Sequence, residues 1–199
     1  MTSWIVRDLI AEGALRVEDG NHGEYRPRPA EFIDEGVAFI RAADMTSGVV
    51  NFLGAGKINQ TARERIRKGI GAPGDVILSH KGTVGRVAVA PLDAPDFVCS
   101  PQTTFWRSLK PEIVDQSYLR YFLESDLFQK QLKMYGGQTD MAPYVSLSDQ
   151  RTLSIVLPPV NSQRGIAATL GALDDKIESN RRVMELSSSL LDALAARSE

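Results

Sequence analysis

The stretch Pro158-Pro159-Val160-Asn161-Ser162-Gln163 opens the part of the chain whose reading decides the fold. Two prolines end whatever regular element precedes them, since proline donates no backbone hydrogen bond and clashes inside a helix or sheet. No proline follows. From there Ile166, Leu170, Leu173, Ile177, Asn180, Met184, Ser187, Leu191 and Leu194 recur at alternating steps of four and three. That is the a/d seam of a heptad pattern, the signature of a helix that winds against another helix. A helix running from Ser162 to Ala196 would be about 52 Å long. The preceding residues are too few to cover it, so the seam asks for a partner. Asn180 and Ser187 break the apolar seam. They either set register, because a buried polar residue penalises slipped pairings, or mark where the pair opens or another subunit docks. A second stripe, Val183, Leu186 and Leu190, predicts contact with more than one neighbour.

Working outward, the 199 residues are 43% hydrophobic and 24% charged, the composition of an ordinary folded protein. The expected division is a globular domain over 1–157 and a long helix over 158–199. No run of eighteen apolar residues exists, and Met1-Thr2-Ser3-Trp4 lacks a charged stretch followed by an apolar core. This predicts neither a membrane span nor a secretion signal. The single cysteine, Cys99, sits in the apolar run Phe97-Val98-Cys99 and reads as a buried small residue rather than a nucleophile. A cytoplasmic location is expected.

The net charge of −2 argues against a nucleic-acid partner, but its distribution does not. Residues 54–86 carry Lys57, Arg63, Arg65, Arg67, Lys68, Lys81 and Arg86 against only Glu64 and Asp75. The flanking parts of the globular region are acidic. Such a block is either a solvated face or a phosphate-facing surface.

Residues 4–13 read as a short amphipathic helix ended by Gly13. Glycines at 20 and 23 and prolines at 27 and 29 make residues 18–29 a stiff, turn-rich loop. It presents Asn21, His22, Tyr25, Arg26 and Arg28, side-chain types that read base edges or stack on bases. Strands are expected at 36–41 and 49–53, and a helix over 61–69. Gly54-Ala55-Gly56-Lys57 is not a phosphate loop, because Asn51 and Ile58 stand where glycine and Ser/Thr are required. Val76-Ile77-Leu78-Ser79 and Arg86-Val87-Ala88-Val89-Ala90 form a hairpin around His80-Lys81-Gly82-Thr83, whose tip suits an anion. Strands at 97–99 and 103–109, a helical stretch over 116–135 with a break at Ser125-Asp126, and a closing strand at 152–157 follow. Gln138 and Thr139 lie in a second polar loop over 138–144.

No Asn-Pro-Pro-aromatic tetrapeptide, no Pro-Asp followed by acid-x-Lys at nuclease spacing, and no metal-ligand spacing of His22 or His80 with Cys99 is found. A catalytic kit is missing, so the chain is expected not to be an enzyme.

Several stretches together resemble the DNA-specificity subunit of type I restriction–modification systems. They are Gly74-Asp75-Val76-Ile77-Leu78-Ser79-His80-Lys81-Gly82-Thr83-Val84-Gly85, Tyr118-Leu119-Arg120-Tyr121-Phe122-Leu123-Glu124-Ser125 and Gly136-Gly137-Gln138. Leu157 to Ala167 and Leu173 to Arg181 continue the series, and Asp19-Gly20-Asn21-His22-Gly23 fits the family's N-terminal loop. The resemblance implies an α+β target-recognition domain of mixed and antiparallel strands with short helices, then a long C-terminal helix forming an antiparallel coiled coil. It implies double-stranded DNA as ligand and a methyltransferase and a restriction subunit as partners. Those partners would bind S-adenosylmethionine, and ATP with Mg²⁺ for restriction, while this chain carries no cofactor. Family members usually hold two recognition domains and two long helices; this chain holds one of each. The expectation is a half-subunit that homodimerises through its helix to read a bipartite, palindromic site. Lys57, Arg63, Arg65, Lys68, Lys81 and Arg86 would meet phosphates, with His80 and Thr83 beside them. The two polar loops would read bases. A coiled-coil scaffold that binds no DNA, a small stand-alone nuclease or methyltransferase, and, within the family, a piece that pairs with a different specificity chain are the alternatives.

Overall fold

The structure, a computed structural model, describes residues 2–46, 48–136 and 142–195. In chain order it forms β1 (Thr2–Ile5), α1 (Val6–Ala11), β2 (Leu15–Asp19), β3 (Phe32–Ile33), β4 (Val37–Ile40), β5 (Met45–Thr46), β6 (Val49–Val50) and β7 (Gly56–Ile58). Then come α2 (Gln60–Arg65), β8 (Val76–Ser79), β9 (Val87–Val89), β10 (Phe97–Cys99), β11 (Thr103–Ser108), α3 (Gln116–Glu124) and α4 (Asp126–Gly136). A short α5 (Leu147–Gln150), β12 (Ser154–Leu157) and the long α6 (Val160–Ala195) complete it.

Among the described residues the strands form three sheets. One has the order β2-β11-β8-β9-β6-β5, a second β10-β4-β7-β3, and β1 pairs with β12. Side chains alternate across a strand, and that alternation sorts the core into layers. On β8, Val76 and Leu78 face the helices α3 and α4, while Ile77 faces the four-stranded sheet; on β11, Trp106 and Phe105 divide the same way. On β10 and β4, Phe97, Cys99, Ala38 and Ile40 turn to the six-stranded sheet. Val98 and Phe39 turn outward, to Ala62 and Ile66 in and after α2. The order of layers is therefore helices, sheet, sheet, helix. Two loops from this stack, after β2 and after β8, emerge side by side.

The fold is α+β with mixed sheets and a long C-terminal helix, as the sequence predicts. The hairpin of β8 and β9 forms with Val76 opposite Val89. The break between α3 and α4 falls at Ser125, whose hydroxyl turns back to the Phe122 carbonyl. Two expectations are corrected. Residues 4 and 5 belong to a strand instead of a helix, because β12 offers them a free edge and pairs Trp4 with Ile155. The helix then starts at Val6, with its first backbone N–H groups donating to the Leu153 and Arg151 carbonyls. The basic helix stops at Arg65, not at Gly69: Ile66 is pulled into the core under the four-stranded sheet, and the chain straightens.

The first turns of α6 dock on the globular part, and the rest leaves it. Gln163 is buried; its side-chain carbonyl accepts from the Asp115 N–H and its amide donates to the Ile113 and Pro158 carbonyls. Ala167 packs into the helical core, and Gly171 sits 3.6 Å (to a Cβ in its place) from the Tyr121 hydroxyl. Asp174 closes the contact, accepting from the Tyr121 hydroxyl at 3.0 Å and pairing with Arg120 at 2.8 Å. Gln163, Ala167, Gly171 and Asp174 follow at steps of four, four and three, one helical face. Ile166, Leu170, Leu173, Ile177 and Met184 lie on the neighbouring face and are exposed. Among the described residues, the globular part therefore leaves these seam positions uncovered.

Candidate nucleic-acid interface

The loop after β2 is pinned from below. Gly20 lies so close to the end of β10 that a Cβ in its place would come 1.9 Å from the Cys99 carbonyl oxygen. Only glycine fits there. His22 is buried, and its Nε2–H donates to that same carbonyl at 2.9 Å, which sets the tautomer and leaves Nδ1 without a partner among the described residues. Burial holds its pKa below the ordinary imidazole value, more than its hydrogen bond to Cys99 raises it. His22 is thus an anchor under the loop instead of a side chain facing a groove. Asn21, Tyr25, Arg26 and Arg28 are exposed around it. Cys99 itself is buried, with its thiol pushed up to about 12 by that burial.

The second loop is anchored in a parallel manner. His80 is buried, and its Nδ1–H donates to the Val145 carbonyl at 2.9 Å, while burial lowers its pKa. Backbone bonds from Val145 to His80 and from Gly82 to Pro143 lash the hairpin tip to residues 143–145. Lys81 then projects over the Tyr144 ring, with Nζ 5.7 Å from its centroid. Gln138 and Thr139, the expected base-readers of the polar loop over 138–144, lie outside the described residues.

Between the two loops runs a cleft of about 320 Å³ whose walls include Arg26, Phe32, Arg41, Lys81, Pro101 and Gln102. Arg41 follows β4 and lies over two rings, 5.5 Å from the Phe32 centroid and 6.0 Å from the Phe39 centroid. Such stacking holds a guanidinium in place for ~0.5–1 kcal/mol and leaves its edge free to donate. Among the described residues Arg26, Arg41 and Lys81 have no carboxylate partner. On the other side of the first loop, Arg67 and Lys68 meet Asn21 and Tyr25 around a second recess. Exposed unpaired cations beside exposed aromatic rings can neutralise phosphates and stack on bases.

The rest of the predicted set is dispersed. Arg63 is paired with Asp96, Nε to Oδ2 at 2.9 Å. Arg65 grips Glu31 with two bonds of 2.8 and 2.7 Å, and that guanidinium, with the Arg28 N–H, holds the Glu31 carboxyl at about 2. These two arginines fasten α2 to the sheet and the loop, so their charge is already met. Lys57 is half-buried in the middle of β7. The Arg86 guanidinium donates to the Ala42 carbonyl and lines a different recess with Met45 and Thr46. Thr83 is exposed at the hairpin tip. Sequence reasoning missed Arg41, Phe32 and Gln102, and nothing local marks them: each is an ordinary residue at the end of a strand or in a turn. Asn180 and Ser187 are exposed on α6, and the Ser187 hydroxyl donates to the Val183 carbonyl. Leu191 and Leu194 lie beyond the described side chains.

Among the described residues no group of His, Cys, Asp and Glu could hold a metal ion. No described helix is long and apolar enough to cross a membrane.

The chain is similar to known proteins in family, sequence and fold. The family described as type I restriction modification DNA specificity domain matches residues 29–185. The chain is 24% identical over 180 residues to the type I restriction enzyme MjaVIII specificity subunit of Methanocaldococcus jannaschii, over 85% of this chain and 39% of that protein. It is 28% identical over 111 residues to the putative MjaX specificity subunit of the same organism, over 56% of this chain and 24% of that one. The chain thus spans well under half the length of these relatives. Among solved structures, the HsdS subunit from Thermoanaerobacter tengcongensis superposes with a TM-score of 0.63 at 19% identity, over 92% of this chain and 39% of that one. The type I S subunit from M. genitalium gives 0.61 at 18%, over 89% and 40%. At such identity the likeness concerns the fold.

Proposed function

This chain belongs to the type I restriction modification DNA specificity family, and from that premise we propose that it reads double-stranded DNA for a methyltransferase and restriction complex. The observation that carries the reading is the cleft where Arg26, Arg41 and Lys81 converge, without carboxylate partners among the described residues, floored by the two histidine-anchored loops. Unpaired cations would take the phosphates and give a salt-dependent affinity, and the loop side chains would supply sequence preference. Residues 1–157 would form the reader and 158–199 its arm. The chain itself would perform no catalysis. S-adenosylmethionine, and ATP with Mg²⁺ for cleavage, would bind on the methyltransferase and restriction subunits, in the cytoplasm.

The arm would act as a homodimer contact. Its exposed seam, Ile166 through Met184, would pair antiparallel with a second copy, so that two readers face a bipartite, palindromic site. At about 54 Å, the arm sets an upper limit on the distance between them. Two measurements test the reading: duplex binding by the purified chain at rising salt, and its mass in solution. Affinity that does not change with salt would remove the DNA-reading role. A mass of one chain at micromolar concentration would remove the homodimer.

A further inference from the structure

Gln102 lies in the cleft between the loops, in a turn that is unusually constrained. Ser100 begins the turn: its N–H donates to the Ile40 carbonyl, and its own carbonyl accepts both the N–H and the hydroxyl of Thr103, at 3.0 and 3.2 Å. Pro101 takes the second position, where its ring presets the backbone. Gln102 takes the third. Its N–H donates to the Ser100 hydroxyl at 3.2 Å, and its carbonyl accepts from the His80 N–H at 2.8 Å. The residues that open and close the turn, Ser100 and Thr103, are buried. Its backbone is thus locked to both histidine-bearing segments, through His80 directly and through the Cys99–Ser100 strand end to His22. Yet its side chain is exposed, and among the described residues its amide makes no hydrogen bond.

A free carboxamide on a locked backbone, flanked by Arg26, Arg41 and Lys81, is poised for recognition rather than for stability. Of these, Arg41 and Lys81 supply attraction to any phosphate backbone. They do not discriminate among bases. A glutamine amide has one donor and one acceptor side by side, which match the N7 and N6 edge of adenine in the major groove. We propose that Gln102 is a specificity-determining residue that reads one A·T base pair, while stacked Arg41 contacts the adjoining phosphate. This rests on the DNA-reading function proposed above.

The test is selection from a randomised duplex library by the purified full chain and by Gln102→Ala, Gln102→Glu and Arg41→Ala variants, each checked by thermal melting. The wild-type chain should enrich A·T at one base-pair position. Gln102→Ala should lose about tenfold of that preference, and Gln102→Glu, nearly the same in shape, should move it toward C·G. Arg41→Ala should weaken binding to all sequences alike. Enrichment by Gln102→Ala and Gln102→Glu identical to that of the wild-type chain overturns the assignment while leaving the DNA-reading function intact. So does a loss confined to a position that is not A·T. Failure of the wild-type chain to bind any duplex overturns both.

Discussion

The Nε2 of His22 donates a 2.9 Å hydrogen bond to the carbonyl oxygen of Cys99, 77 residues further along the chain. One buried imidazole thereby ties the first polar loop to the strand end that carries the Ser100 turn. His80 does the same for the second loop through Val145. The cleft between the loops owes its shape to two histidines that do not face it.

This arrangement predicts a loss of stability at mildly acidic pH. Burial lowers both histidine pKa values below 6.5, so the unfolded chain takes up protons first as pH falls. The contribution of each neutral ring is complete above pH 6.5 and declines below it, with a slope of at most about 1.4 kcal/mol per pH unit for each. Melting temperatures should fall between pH 7.5 and 5.5. A His22→Gln, His80→Asn variant, able to keep both carbonyl bonds, should show a flatter profile. An unchanged slope would remove the histidines from the account.

The Glu31 carboxylate predicts a second, separate loss at lower pH. The Arg65 guanidinium, assisted by the Arg28 N–H, brings its pKa down from 4.5 to about 2. Its depressed value means that its stabilisation is present above pH 4.5 and is lost as pH falls toward 2. Acid unfolding of Glu31→Gln should lack that component between pH 4.5 and 2, while starting from a lower stability at pH 7. Equal pH profiles for both proteins would contradict it.

Paired and unpaired arginines should separate in DNA binding. Arg41→Ala and Lys68→Ala each remove one cation that has no carboxylate partner among the described residues, and should lower the slope of log affinity against log salt by about 0.9 for each phosphate no longer neutralised. Arg63→Ala removes a cation already held by Asp96 and should leave that slope unchanged. Arg26→Ala, in the loop itself, should relax sequence preference. A uniform effect of all four on the salt slope would show that the ion pairs open on binding.

The joint between the globular part and α6 offers a further handle. Arg120 and Tyr121 hold Asp174 at 2.8 and 3.0 Å, where α6 leaves the globular part. With Asp174 partly exposed, Asp174→Ala should cost under about 1 kcal/mol of stability. It should nevertheless broaden the range of half-site separations accepted, because the arm loses its last tether. Binding to duplexes whose spacer changes by single base pairs would show this; an unchanged optimum and width would refute it.

Much of the architecture is legible in residue order, because it depends on neighbours in sequence. The double proline at 158–159, the seam from Ile166 and the alternation of Val76, Ile77 and Leu78 each encode an element locally. The N-terminal misreading has the opposite cause. Trp4 and Ile5 suit an amphipathic helix until β12, about 150 residues later, provides an edge to pair with. The basic block misleads in the same way. Arg63 and Arg65 are indistinguishable by type from Arg41 and Arg67, and only the approach of Asp96 and Glu31 neutralises the first two.

The sequence alone determined that a globular α+β part precedes a long helix with an apolar seam, since periodicity and proline placement act over a few residues. It also placed the chemistry-bearing loops at 19–28 and at the hairpin tip. The tertiary structure alone decided which polar groups remain available. Burial turned His22 and His80 inward as anchors, long-range ion pairs consumed Arg63 and Arg65, and layering brought Arg26, Arg41, Lys81 and Gln102 from four separate segments to one cleft. Charge availability depends on distances that close only when the sheets stack.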